Sequence, residues 1–348
     1  MDGQSLRIDG SYGEGGGQIL RTSLALSCLT GTPVEIVNIR QARSRPGLQP
    51  QHLTAVRAAT VISGAVAEGA AIGSSTLRFE PGPVEGGDYS FDVSEIKGSA
   101  GSTSLVLQTI LLPLFFAARP STIILIGGTH VPWSPTFHYL QQVFLPFISR
   151  MQVNVDLNLE QWGWYPKGGG RVKAKVVPAR ELKPLVINDR GGVRRITGLS
   201  AVSNLPEDIA HRQRARTVKV LGENDIRAEI EIASGPSIGK GTLLFLLAEF
   251  ENIKAGFGSL GAIGKRAETV ADEASREMID YLTSEGALDQ HLADQIIPYL
   301  ALAAGRSEFS TTRITRHLLT NIWVVKQFLD VDIQVEGREG EKGKITIR

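Results

Sequence analysis

The sequence predicts an α/β (α+β) protein in which one supersecondary unit occurs three times and a smaller α+β unit is inserted. Three observations carry this. The order helix, strand, helix, strand, strand recurs three times along the chain. Roughly one hundred residues between the second and third copies do not fit that order. The first copy starts on a glycine-rich run, Gly10-Ser-Tyr-Gly-Glu-Gly-Gly-Gly17, that leads straight into an apolar helix. What repeats is the order of elements, not the identity of residues.

A strand is expected at Leu6–Asp9, before the glycine run. Ile19, Leu20, Ser23, Leu24, Leu26 and Leu29 then recur at helical spacing, and Gly31 stops the helix. A strand over Val34–Arg40 follows, then a helix from Pro50 to Ser63 with proline in its favoured first turn. Strands at Thr76–Glu80 and Tyr89–Val93 close the first copy. The second runs from Gly101-Ser-Thr-Ser into a helix to Ala117, a buried strand at Thr122–Ile126 and a helix over Pro135–Arg150. Strands at Val153–Leu159 and Arg171–Val177 complete it. The third has helices at His291–Ala304 and His317–Leu329 around a strand at Glu308–Arg313, then strands at Asp332–Glu336 and Lys344–Ile347. The repeated region is thus 1–185 plus 286–348, and the inserted unit 186–285. Within the insert, strands fall at Ile196–Val202, Ile226–Ala233, Thr242–Phe250 and Ala255–Leu260, with helices at Pro206–Leu221 and Lys265–Tyr281. Arg212, Arg214, Arg216 and Lys219 are spaced around the first of these helices, which a solvated face explains as well as an RNA contact does.

With 348 residues, 42% of them hydrophobic, the chain can bury a core and hold two domains. No apolar run reaches the length of a membrane span, and the stretch MDGQSLRIDG lacks a signal-peptide core. Cys28 is the only cysteine, which excludes disulfides within the chain and thiolate metal sites; a reducing cytoplasm is the expected setting. The net charge of +1 gives no global basic field, so any polyanion site must be built locally. The sequence leaves oligomerisation open.

Standard nucleotide signatures fail. Gly235-Pro-Ser-Ile-Gly-Lys240 has three residues between its glycines where a P-loop has four. Gly13-Glu-Gly-Gly-Gly-Gln18 lacks the third glycine of a dinucleotide fingerprint, and there is no HExxH or GxSxG. What remains is the glycine run itself. A loop without Cβ atoms entering a helix N-terminus offers unpaired N–H groups to an anion. Glu14, Gln18 and Arg21 there supply a metal carboxylate, an amide and a phosphate fork; a glycine turn with a salt bridge is the plainer alternative. Arg40, Arg43, Arg45, Gln51, His52 and Arg57 crowd around Pro46, Gly47 and Pro50, a composition suited to polyvalent phosphate or to an ordinary solvated loop. Tyr165-Pro-Lys-Gly-Gly-Gly-Arg171 reads as a hairpin turn. His317 opens the second helix of the third copy, as His52 opens the matching helix of the first. A helix N-terminus disfavours protonation, leaving a lone pair able to attack phosphorus, with Arg313 and Arg316 as phosphate holders. Taken alone, such a histidine also fits a capping or packing role.

Together these stretches resemble the RNA 3'-terminal phosphate cyclases. The matching segments are 10–27, 43–53, 101–113, 165–172, 291–295 and 315–321, in order across the chain. The resemblance implies a large domain of three βαβαββ-like repeats, of the enolpyruvyl transferase and RNA cyclase type, with a small inserted domain. It implies an ATP-dependent reaction: His317 attacks the α-phosphorus, AMP passes to an RNA 3'-phosphate, and the 2'-OH closes a 2',3'-cyclic phosphate. By the same resemblance Glu14 holds Mg2+ or Mn2+ on the ATP phosphates and Arg21 assists charge neutralisation. Gln108, Pro132, His291, Leu292, Ala293, Asp294 and Gln295 line the ATP site, with Pro132 against adenine and Asp294 either orienting the histidine or contacting ATP. Arg40, Arg43, Gln51 and His52 face the RNA end. The partner is an RNA 3'-phosphate end, with no DNA-specific site. Two positions depart from the pattern: Trp162, where arginine or histidine is expected, and His130, where aspartate is common. The rival functions are a cyclase-like protein that only binds RNA in ribosome biogenesis, which would lack the nucleophile, and an enolpyruvyl transferase, which needs no covalent histidine.

Overall fold

The structure, a computed structural model, describes residues 5–95, 98 and 100–348. Met1–Gln4, the start of the stretch read for a signal peptide, lie outside the described residues. The first unit comprises β1 (Leu6–Asp9), α1 (Gly17–Thr30), β2 (Val34–Val37), α2 (Pro50–Ser63), β3 (Val66–Glu68) and β4 (Leu77–Glu80). In the second are β5 (Asp88–Asp92), α3 (Thr103–Leu114), β6 (Ser121–Gly127), α4 (Phe137–Tyr139), α5 (Leu145–Ser149), β7 (Asn154–Gln161) and β8 (Gly170–Val177). β9 (Val186–Ile187) opens the third, which is then interrupted by β10 (Val193–Ser203), α6 (Asp208–Gly222), β11 (Glu229–Ser234), β12 (Gly241–Phe250), β13 (Lys254–Leu260) and α7 (Ala267–Thr283). It resumes with α8 (Gln290–Ala301), β14 (Ser307–Thr311), α9 (Arg316–Phe328), β15 (Ile333–Glu336) and β16 (Gly343–Ile347).

The repeat is visible in the sheets. Their orders are β1-β2-β4-β3, β5-β6-β8-β7 and β9-β14-β16-β15, one pattern three times. In each, the first two strands are parallel, as a βαβ crossover requires, and the others are antiparallel. This corrects the grouping expected from the sequence. The strand near Tyr89 does not close the first unit: Asp88–Asp92 pairs with Ser121–Gly127 and opens the second. The missing strand of the first unit is Val66–Glu68, three residues mostly exposed, with no apolar alternation to betray it. Val186–Ile187 belongs with β14, so the insertion sits inside the third unit, after its first strand. β2 also ends at Val37, short of Arg40, because Asn38 and Arg40 take positive φ and turn the chain.

α1 is buried on nearly every side, from Ile19 through Cys28, as expected of a helix with no solvent face. It packs against α2 and α3 and, across units, against α9, which in turn packs on α8. The helices form the interior, and strands such as β4 alternate buried and exposed residues because one sheet face meets water. The single helix expected over Pro135–Arg150 is instead α4 and α5 joined by a π turn, Leu140–Phe144. Pro146, in the first turn of α5, has no N–H for the α-helical ladder there. The Tyr165–Arg171 stretch is a hairpin turn between β7 and β8, closed by Gly168 N–H to the Trp164 carbonyl at 2.7 Å.

The His130 and Trp162 rings stack at 4.4 Å, both buried. His130 Nδ1 pairs with Thr129 Oγ1 at 2.7 Å and Nε2 with His138 Nδ1 at 2.9 Å. Burial pushes both imidazoles well down, His138 to about 4, so the pair is neutral. The Trp162 backbone N–H also donates to the Pro236 carbonyl at 2.9 Å, tying this packing to the insert.

Asn321 joins three helices. Its Oδ1 accepts from Thr22 Oγ1 and its Nδ2 donates to the Asp294 carbonyl, both at 2.7 Å and buried. Asn321→Ala strands both partners and is expected to cost about 2 kcal/mol in urea unfolding. A loss under about 0.5 kcal/mol would show that the tie contributes little.

Candidate active site

The glycine run folds back onto α9. Gly13 takes φ 57°, and a Cβ there would strike the Thr320 side chain. The backbone N–H of Glu14 then donates to Thr320 Oγ1 at 3.1 Å. Gly16 and Gly17 leave the room that the Glu14 carboxylate and the His52 ring occupy. Arg43 pairs with the Glu14 carboxylate and donates to its carbonyl at 2.9 Å. Thr315 caps α9 by accepting from Leu318 N–H at 2.9 Å, which fixes His317 in the first turn.

His317 Nδ1 lies 3.0 Å from Gln18 Oε1 and 3.7 Å from Glu14 Oε1. Both facing atoms accept, so Nδ1 carries the ring proton and Nε2 keeps its lone pair. Half of the His317 side chain is exposed, toward the cavity it lines. Desolvation draws its pKa down; Glu14 opposes, while Arg21, Arg43 and His291 push further down. The ring is therefore predominantly neutral near pH 7.

The cavity has a volume of about 910 Å³. Arg21, Arg40 and Arg43 converge on its wall beside Glu14. Burial lowers the Arg21 pKa to about 10, still well above neutrality, with Glu14 acting the other way. Three guanidiniums near one carboxylate make an anion site. His52 is buried; its Nδ1 accepts from Gln49 N–H at 3.2 Å in a capping box. Burial, then Arg21 and Arg40, drive its pKa to about 3, so Nε2–H is a neutral donor. Gln51 Oε1 accepts from Ser102 N–H at 3.3 Å, and Gln108 donates to Gln295.

α8 sorts its residues by helical phase. His291, Asp294, Gln295 and Pro298 face the cavity. Leu292 and Ala293, expected there, are fully buried in the core instead, because they lie on the opposite face. Pro132 is exposed and outside the cavity wall, which at that point is Trp133, Ser134 and Pro135. Arg316 pairs with Glu339 at 3.1 Å and Arg313 is exposed; neither lines the cavity. Sequence reasoning missed Tyr139, Glu277, Thr320, Asn321 and Trp133. Trp133 carried a signal in retrospect, being a large apolar residue in a Pro/Ser-rich loop; it is 98% exposed with φ 65°. Tyr139 donates to Asp289 Oδ1 at 2.9 Å. Burial raises the Asp294 pKa to about 7, against the Thr315 hydrogen bond and His291. Among the described residues no cluster of three or more His, Cys, Asp or Glu could hold a metal. No helix is long and apolar enough to cross a membrane, among the same residues.

Unfolded His52 binds a proton below its ordinary pKa of 6.5, whereas the folded one stays neutral down to about 3. Stability therefore falls as pH falls through that window. In His52→Gln the urea midpoint should drop less between pH 6.5 and about 4 than in the unmutated protein. Equal drops would contradict the buried neutral ring.

A family model described as RTC, RNA 3'-terminal phosphate cyclase, matches residues 12–335. The RNA 3'-terminal phosphate cyclase of Methylococcus capsulatus is 48% identical over 346 residues, 98% of this chain and 96% of its own length. That of Nostoc punctiforme is 43% identical over 333 residues, 95% of this chain and 96% of its own. Among solved structures, the enolpyruvyl transferase NikO from Streptomyces tendae aligns with TM-score 0.38 at 10% identity, covering 98% of this chain and 48% of that one.

Proposed function

The chain belongs to the RNA 3'-terminal phosphate cyclase family, and we propose that it converts RNA 3'-phosphates to 2',3'-cyclic phosphates with ATP, through a histidine–AMP adduct. The observation that carries this reading is His317: Nδ1 held between two acceptors, Nε2 unprotonated, and three arginines on the same cavity wall.

In the first step His317 Nε2 attacks the α-phosphorus of ATP. A P–N bond forms, the bond to the β-phosphate oxygen breaks, and pyrophosphate leaves. The ring gains positive charge as it attacks, and the Glu14 carboxylate beside Nδ1 stabilises it. Arg21 and its neighbours counter the charge on the phosphates. Next an oxygen of the RNA 3'-phosphate attacks the adduct phosphorus, breaks the P–N bond and yields RNA(3')pp(5')A. Finally the adjacent 2'-OH attacks the 3'-phosphorus, loses its proton and expels AMP. That hydroxyl is already intramolecular, so ring closure needs little further ordering, and only RNA supplies it. Arg40, Arg43, Gln51 and His52 suit the RNA phosphate, and exposed Trp133 offers a stacking face for a base at the rim.

A divalent cation fits as a shared guest. Glu14 offers a single carboxylate, which suits Mg2+ or Mn2+ carried mainly by substrate phosphates better than a cage made by protein alone. When bound, it would neutralise charge on the transferring phosphoryl group.

Incubation with labelled ATP and a divalent metal should attach AMP to the protein, and His317→Ala should abolish it. Labelling that persists in that variant reassigns the nucleophile. Glu14→Ala should lower the adenylylation rate on the order of 100-fold with the circular dichroism unchanged. An undiminished rate would remove Glu14 from the reaction. An RNA 3'-phosphate ending in a 2'-deoxynucleotide should stall as the adenylylated end; release of AMP without that accumulation contradicts the last step.

A further inference from the structure

The insert reaches into the cavity through Phe245, Gly256, Gly258 and Glu277. Glu277, on α7, places its Oε1 3.2 Å from His291 Nε2, in the first turn of α8, and both residues line the cavity. We propose that Glu277 is a positioning residue that holds the His291 ring as an imidazolium and aims its other N–H at a bound nucleotide. This rests on the reading of the cavity as a nucleotide site.

The charge is out of place by local rules. A cation at a helix N-terminus meets the positive end of the dipole, so α8 by itself would shed the His291 proton. Carboxylates from three directions oppose that. Glu277 lies on α7; Asp289 caps α8, its Oδ1 2.9 Å from the His291 backbone N–H; Asp294 stands one turn on. Asp289 Oδ2 is buried without a hydrogen-bond partner, and burial raises the Asp289 pKa against the pull of His291. From α4, Tyr139 meets the His291 ring edge-on at 6.4 Å and donates to Asp289. From α9, His317 feels His291 as a charge that lowers its own pKa. Desolvation pulls the His291 pKa down, but the Glu277 hydrogen bond, then Asp289 and the other carboxylates, lift it to about 9. Nε2–H is given to Glu277, which leaves Nδ1–H to meet an acceptor of the nucleotide, on phosphate or base.

α7 is well held for such a task. Arg190 donates to the Tyr281 carbonyl at 2.7 Å and lies over the Tyr281 ring at 4.6 Å. Tyr281 in turn donates to the Ala287 carbonyl, just before α8. The connection from α7 to α8 is therefore fastened between Glu277 and His291.

The test compares the full-length protein with Glu277→Gln and Glu277→Asp. Proton NMR of the histidine rings, without nucleotide, should show His291 titrating near 9 in the unmutated protein and near or below the ordinary histidine range, about 6.5, in Glu277→Gln. Glu277→Asp should recover part of the rise. By calorimetry at about pH 7.5, ATP should bind Glu277→Gln about 10-fold more weakly. Affinity in the unmutated protein should fade only above about pH 9, and in the variant already above about 6.5. Adenosine and inorganic tripolyphosphate are titrated separately, and whichever loses affinity along with ATP carries the contact. Unchanged His291 titration, or unchanged ATP affinity and pH profile, overturns the proposal. Should ATP bind with the predicted profile while His317 is never labelled, the adduct chemistry fails and the role of Glu277 stands.

Discussion

The site depends on how the glycine run is seated on α9. Gly13 can approach Thr320 because it has no side chain, and Thr320 then accepts from the Glu14 N–H. That contact joins the first repeat to the third across roughly three hundred residues of chain. It sets Glu14 and Gln18 beside Nδ1 of His317, which determines the tautomer and so the atom that can act as nucleophile. α1 and α9 pack together immediately behind, and Asn321 ties both to α8. A shift of one helix relative to another would misplace the ring relative to its acceptors, and the remaining groups could not compensate.

Much of this was legible in the chain because it depended on local chemistry. Glycine loops, helix caps and apolar spacing declare themselves within a few residues, which is why α2 was placed at its observed ends, Pro50–Ser63. The helix start that carries His317 and the glycine turn that carries Glu14 were legible for the same reason. What the sequence hid was mostly long-range. Val66–Glu68 is too short and too exposed to carry a strand pattern, and Asp88–Asp92 reveals its unit only by its partner β6. Leu292 and Ala293 share a segment with His291 and Asp294 but not their face, because a helix turns neighbouring residues in different directions. Arg313 and Arg316 sit beside His317 in sequence, yet Arg316 turns outward to Glu339. Glu277 and Tyr139 come from other elements altogether.

The position of the insert gives the repeat a purpose beyond symmetry. Three like sheets surround shared helices, but only the third unit is opened, between β9 and α8. The insert thus enters and leaves next to the helix that supplies His291, Asp294 and Gln295 to the cavity. It is also held beside the stacked His130–Trp162 pair, where the Trp162 backbone N–H donates to the Pro236 carbonyl. His130 and Trp162 form one neutral packing unit, and neither lines the cavity.

The central claim is a bond to one nitrogen of one side chain. It is tested most directly by labelling the histidines with 15N, trapping the AMP adduct, and reading the 31P–15N coupling together with the peptide that carries it. The account predicts coupling to Nε2 of His317. Coupling to Nδ1, or an adduct on any other residue, would contradict it.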